Sequence, residues 1–157
     1  MRIFSSAQTA KYLRSLERRV SSASVVLCDE LGRVLVVKAN YKKYWSLPGG
    51  IVDAGETPRQ TAIRETAEEV GLQLSVDQLV FHMIVHRQSR RAHTYQFIFK
   101  YNVRASIFDT VQLDGKEIDA YEVVSPEQIL ANESKYSQTL VGWARGDSGY
   151  IEQQLAL

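Results

Sequence analysis

The sequence predicts an α/β domain in which a mixed β-sheet lies between helices. Three observations lead there. Tyr95, Phe97, Phe99, Tyr101 and Val103 alternate with Gln96, Ile98, Lys100 and Asn102, which is the period of a strand. Ala62, Ile63, Thr66, Ala67 and Val70 recur at helical spacing between clear start and stop signals. Strand-like and helix-like segments then interleave along 157 residues without a repeat, a low-complexity tract or a Pro/Gly-rich linker. Residues 1–157 are therefore read as one domain, with residues 1–20 as an N-terminal helical extension.

Taken in order, Ser6 to Arg19 reads as an amphipathic helix whose Leu13, Leu16 and Val20 stripe continues into a strand. Ser24–Cys28 and Val34–Lys38 are apolar runs separated by Asp29-Glu30-Leu31-Gly32-Arg33, the pattern of a hairpin. Leu47-Pro48-Gly49-Gly50 signals a loop, because proline and paired glycines interrupt both regular structures. The next helix is the best marked: Thr57 caps it, Pro58 suits its first turn, Gln60 completes a capping box and Gly71 stops it. Its apolar face should lie on the sheet.

Leu79 to His86 resembles a strand, followed by the polar, basic stretch Arg87 to His93. After the alternating strand comes an Asp114-Gly115 turn and a further strand over Glu117 to Val124. Ser125-Pro126-Glu127-Gln128 is a second capping box, and Tyr136, Leu140 and Trp143 suggest a last helix.

Bulk properties narrow the function. A formal net charge of +1 provides no general attraction for nucleic acid, so long RNA or DNA is a poor partner. The single cysteine, Cys28, can build neither an internal disulfide nor a cysteine zinc cage. No apolar run has the length of a membrane span, and Glu17 together with the helical stripe argues against a removable leader. A cytoplasmic location is expected, and a homodimer stays open.

The residues that carry chemistry are Glu65, Glu68 and Glu69. At i, i+3 and i+4 they should share one side of the capped helix, roughly opposite its apolar stripe. Two like charges about 5 Å apart repel by about 3 kcal/mol at an effective dielectric of about 20. A hard divalent cation between the oxygens turns that cost into attraction. The alternative is a solvated face on which Arg64 pairs with Glu68 at i+4.

The wider pattern decides between them. Gly50, five residues, Glu56, seven residues, Arg64-Glu65, two residues, Glu68-Glu69, one residue and Gly71 resemble the Nudix box, the signature of the Nudix hydrolase family. The match runs from Gly50 to Leu72, and the preceding Trp45-Ser46-Leu47-Pro48-Gly49-Gly50 is similar to the family's approach to the box. The resemblance implies an α/β/α sandwich and hydrolysis of a nucleoside diphosphate linked to another group. It implies magnesium, or manganese in its place, at Glu65, Glu68 and Glu69, with the Gly49 carbonyl as a further ligand. Glu65, Glu68 and Glu117 become the candidate catalytic groups, and Glu56 and Arg64 the pair tying loop to helix. Two departures stand out: Thr66 replaces an aliphatic residue, and Val123 replaces a tryptophan near Glu117, where Asp114 and Asp119 compete for the acidic role.

Candidate substrate contacts are Lys38, Tyr44, Arg87 and Arg90, with the basic stretch read either as a hairpin tip over the site or as a solvated turn. Tyr41 and Trp45 could also stack on a base. The proline that follows the box in ADP-ribose hydrolases of the family is absent, as is the tyrosine of its diadenosine polyphosphate hydrolases. A nucleoside triphosphate or related small nucleotide is the expected substrate, with ADP-ribose or a nucleotide sugar as the alternative. A non-catalytic binding module and a diphosphate isomerase are the rival classes. The intact glutamates argue against the first, and Cys28 in an apolar strand argues against the second.

Overall fold

The computed structural model describes residues 5–88, 92–113 and 115–154. Arg90, read above as a substrate contact, and Asp114 lie outside the described residues.

Ser5 caps α1 (Ser6–Ser15) through a capping box with Gln8. The helix stops short of Arg19 because Leu16 turns to extended backbone (φ −75°, ψ 147°). None of its residues is buried and Leu13 is 57% exposed, so the expected apolar stripe does not pack on the sheet. The helical period is present, but among the described residues its stripe is not buried.

β1 (Val20–Cys28) and β2 (Val34–Ala39) form the expected hairpin. Its turn is organised by Asp29, whose carboxylate accepts hydrogen bonds from the Leu31 and Arg33 amides at 3.0 and 2.8 Å and from Arg33 Nε at 2.8 Å. Burial alone would raise this carboxyl, yet these donors hold it below the ordinary aspartate value. β3 (Gly49–Ile51) comes next, then α2 (Pro58–Val70), β4 (Val80–Gln88) and β5 (His93–Asn102). β6 (Ile118–Val124), α3 (Pro126–Ala131), α4 (Gln138–Ala144) and β7 (Gly149–Gln154) complete the order.

The strands form one sheet in the order β6-β2-β1-β5-β4-β7, with β3 paired to β1. β1 runs parallel to β5 and β4 parallel to β7, while the other pairs are antiparallel, so the sheet is mixed as expected. Alternation along β1 divides the core. Ala23, Val25 and Leu27 face α2, where they meet Ala62, Val70 and Phe99. Val26 and Cys28 face the other way, toward Met83, Ile98, Ile129 of α3 and Leu140 of α4. Each buried aliphatic side chain contributes about 1.5–3 kcal/mol. Helices therefore cover both faces. Among the described residues, no helix is long and apolar enough to cross a membrane.

The signals read for α2 are all present. Thr57 and Gln60 form the capping box, Pro58 begins the helix, and Gly71 ends it in the left-handed region at φ 73°. Its buried side differs from the predicted stripe. Thr61, Ala62, Thr66, Glu69 and Val70 are buried, whereas Ile63 and Ala67 are only partly so. Thr66 is tolerated in the core because its hydroxyl donates to the Ala62 carbonyl at 2.8 Å. Glu69 thus shares the inward side instead of lying opposite it.

Candidate active site

The two glycines of the loop before α2 become a strand because only glycine fits there. β3 pairs with β1 through Ser24↔Gly49 and Ala23↔Gly50. Gly49 sits at φ 145°, and a methyl group on it would lie 2.1 Å from the Ala23 carbonyl oxygen. A methyl on Gly50 would lie 2.4 Å from Glu65 Oε1. The absent side chains admit α2's carboxylates directly against the backbone.

Each carboxylate has a different environment. Glu69 is 5% exposed and accepts the Gly49 amide at 2.8 Å. Burial pushes its carboxyl up to about 7, with Glu65 and Glu117 adding repulsion against the Gly49 hydrogen bond and the Lys42 charge. Glu65 is half-buried and is also raised, first by burial, although Arg64 opposes the shift. Glu68 has a side chain 59% exposed.

Arg64 organises the outer side of this cluster. It donates to Glu56, Glu65 and Glu68 at 2.8, 2.8 and 2.9 Å, and lies 3.6 Å from Asp53. Its hydrogen bond and that of Thr61 hold Glu56 down to about 2. The tie between loop and helix therefore exists, and so does the i,i+4 pair with Glu68.

The three glutamates each have a partner in this structure. Among the described residues, no group of three His, Cys, Asp or Glu side chains is arranged to hold a metal ion. Arg64 pairs with Glu65 and Glu68, while the Gly49 amide holds Glu69. The donor set nonetheless suits a hard dication. It is all oxygen and carries surplus negative charge, and burial makes that charge costly at Glu69. Glu117 joins it from the loop before β6, where its carbonyl accepts the Asn40 amide at 2.9 Å and its charge acts on Glu65, Glu69 and Tyr41. Asp119 is exposed two residues further on.

A cleft of about 650 Å³ opens beside Gly49 and Gly50. Tyr44, one of the predicted substrate contacts, lines it together with Tyr41 and Lys42. Lys38 does not; its ammonium donates to the Lys42 carbonyl at 2.8 Å and holds that loop in shape. Arg87 also lines the cleft, but from within β4 and not from a hairpin tip. Burial lowers its guanidinium from the ordinary arginine value.

Sequence reasoning missed Lys42, Ser24, Gln96 and Thr139 in this cleft. Gln96 carried a usable signal, since it occupies the same alternating row as the core residue Ile98. Thr139 carried none, because its place depends on how α4 lies across the sheet.

The NUDIX domain model matches residues 18–143 of this chain. A MutT-like protein of Streptomyces ambofaciens is 40% identical over 60 residues, 38% of this chain and 38% of its own length. An RNA pyrophosphohydrolase of Actinobacillus succinogenes is 42% identical over 52 residues, 33% of this chain and 26% of its own. The chain thus spans well under half the length of these curated relatives. Among solved structures, a MutT protein from Methanosarcina mazei Go1 superposes with a TM-score of 0.67 at 24% identity, covering 83% of this chain and 94% of that one. A C. elegans Ap4A hydrolase superposes at 0.60 with 26% identity, covering 80% and 93%.

Proposed function

Because this chain belongs to the NUDIX domain family, we propose that it hydrolyses a diphosphate linkage in a small nucleoside diphosphate derivative. The observation that carries this reading is the placement of Glu65 and Glu69 against Gly50 and Gly49, at the edge of a nucleotide-sized cleft. Glu65, Glu68 and Glu69 would hold magnesium, or manganese in its place, together with the Gly49 carbonyl. The ion, when bound, neutralises diphosphate charge and lowers the barrier to attack by water.

The protein's own groups have separable tasks. Glu65 accepts a proton from the attacking water; its half-buried carboxylate binds a proton more readily than a free one. Glu69 fixes the β3 backbone through the Gly49 amide while presenting its other oxygen. Arg64 and Glu56 hold the loop on α2, and Glu68, paired with Arg64 here, would be a further group to hold the ion. Glu117 supplies further negative charge from the opposite side. Lys42 and Tyr44 contact the substrate at the mouth.

A nucleoside triphosphate or related small nucleotide is the preferred substrate; ADP-ribose or a nucleotide sugar is the second reading. A relative named as a putative 8-oxo-dGTP diphosphatase supports the first, and a solved neighbour that is part ADP-ribose pyrophosphatase keeps the second; other relatives are named for RNA. The test is a panel of nucleoside triphosphates, dinucleotides, ADP-ribose and nucleotide sugars with magnesium, the products read by mass spectrometry. Cleavage between two phosphorus atoms, stopped by chelator and restored by magnesium, is expected. Turnover that ignores chelation would remove the proposed mechanism.

A further inference from the structure

At the far end of the cleft, Arg87 is a cation in neutral company. Its Nη2 donates to Gln96 Oε1 and Thr139 Oγ1. Thr139 also donates to Gln96 at 3.0 Å, and Gln96 Nε2 donates to Ser24 Oγ at 2.9 Å. These neighbours fix the guanidinium without neutralising it. Among the described residues no carboxylate forms an ion pair with Arg87, whose described side-chain partners are Gln96 and Thr139. A polar group is unmet: the buried Ser46 hydroxyl, in the wall of the same cleft, has no hydrogen-bond partner among the described residues. Leaving the Ser46 hydroxyl unpaired in a desolvated place is costly, and Arg87 brings an unneutralised charge to the same cleft, so this end suits a group that supplies acceptors.

The sheet order says which part of a substrate arrives there. Gly49 and Gly50 lie on β3, followed across the sheet by β1 and then by β5, which carries Gln96. One cleft runs from Gly49 and Gly50 to Arg87, Gln96 and Thr139. With a diphosphate at the glycine end, the Arg87 end of the same cleft is left for the sugar and base. Tyr44 and Tyr136 flank the path with aromatic faces on which a flat ring can stack.

We propose that Arg87 is a specificity-determining residue that favours nucleobases with carbonyl acceptors on their far edge. Guanine, hypoxanthine and uracil offer such oxygens, whereas adenine and cytosine turn an amino donor toward the donors of the guanidinium. This deepens the nucleotide reading of the cleft and rests on it.

The experiment measures equilibrium binding of GTP, ITP, UTP, ATP and CTP in chelator, alongside kcat/KM for the same nucleotides with magnesium. The wild-type protein should favour the carbonyl-edged bases by about tenfold or more. Arg87→Met should bring the ratio close to one. Arg87→Lys, which keeps charge but not the planar fork, should lose most of it. Thr139→Val removes the anchor in nearly the same volume; it should weaken the preference with nucleotide binding retained, and it serves if Arg87→Met does not fold. A wild-type protein without the preference, or variants that keep it, would overturn the assignment. Selective binding without hydrolysis would sink the hydrolase reading and leave Arg87 in place, whereas hydrolysis without selectivity would do the reverse. Failure to bind any nucleotide would overturn both.

Discussion

Asp29 and Glu69 are almost equally buried, 6% and 5% exposed, yet their carboxyls shift in opposite directions. Asp29 collects two backbone amides and an arginine side chain within four residues of sequence. Glu69 receives one backbone amide and faces the charges of Glu65 and Glu117. Burial raises both carboxyls, but at Asp29 the donors outweigh it, whereas at Glu69 the single amide does not. Asp29 is a finished structural device that closes a hairpin. Glu69 is left short of positive charge, and that shortage faces the cleft edge where a cation would relieve it.

Glu69→Gln should sharpen this contrast most. The amide keeps an acceptor for Gly49 but removes the charge, so magnesium-dependent turnover should fall about a hundredfold or more, with thermal unfolding unchanged or slightly later. Near-normal turnover would mean that Glu69 is as purely structural as Asp29. Gly50→Ala comes next: its methyl group would displace the Glu65 carboxylate, so turnover should fall about ten- to a hundredfold in a folded protein, as steady-state kinetics would report. Unaltered kinetics there would place Glu65 outside the chemistry.

Asp29→Asn should act on the other side of the comparison. It should lower unfolding stability by about 2 kcal/mol in denaturant titration while turnover per folded molecule is retained. Loss of turnover without loss of stability would erase the distinction. The smallest effect concerns acid. Because the folded carboxyl of Asp29 lies below its unfolded value, its stabilisation is present above the unfolded pKa and is lost as pH falls through the folded one. The stability gap between wild type and Asp29→Asn should therefore narrow below about pH 4. A constant gap would mean that charge plays no part in the turn.

Much of this was legible in the sequence, because local rules agreed with the final packing. The caps of α2, the alternation of β5 and the Asp29–Arg33 turn are local events, and their signals lie within a few residues. β3 was hidden because Gly-Gly has no strand propensity of its own; it forms through pairing with β1, where side chains would collide. β7 was missed because Gly149–Gln154 is a largely exposed edge segment without apolar alternation. The spacing of Glu65, Glu68 and Glu69 was plain, but helical geometry could not say that Glu69 turns inward while Arg64 claims Glu68. That outcome depends on the loop at Gly49, twenty residues away in sequence. Arg87 looked like part of a turn because its charge masked the strand it extends. Its role could be seen only after Gln96 and Thr139 had come together from distant segments.

The arrangement around Arg64 also affects how fast an ion can arrive. One guanidinium stands among Asp53, Glu56, Glu65 and Glu68, which leaves a formal surplus of three negative charges in a small volume. At physiological ionic strength this field extends about 8 Å before the surrounding electrolyte cancels it. A dication diffusing past is thus captured only at short range, and rising salt slows its association before it alters the folded scaffold. The arginine keeps these anions gathered, so under the proposed function it would influence the rate of loading as well as the shape of the loop.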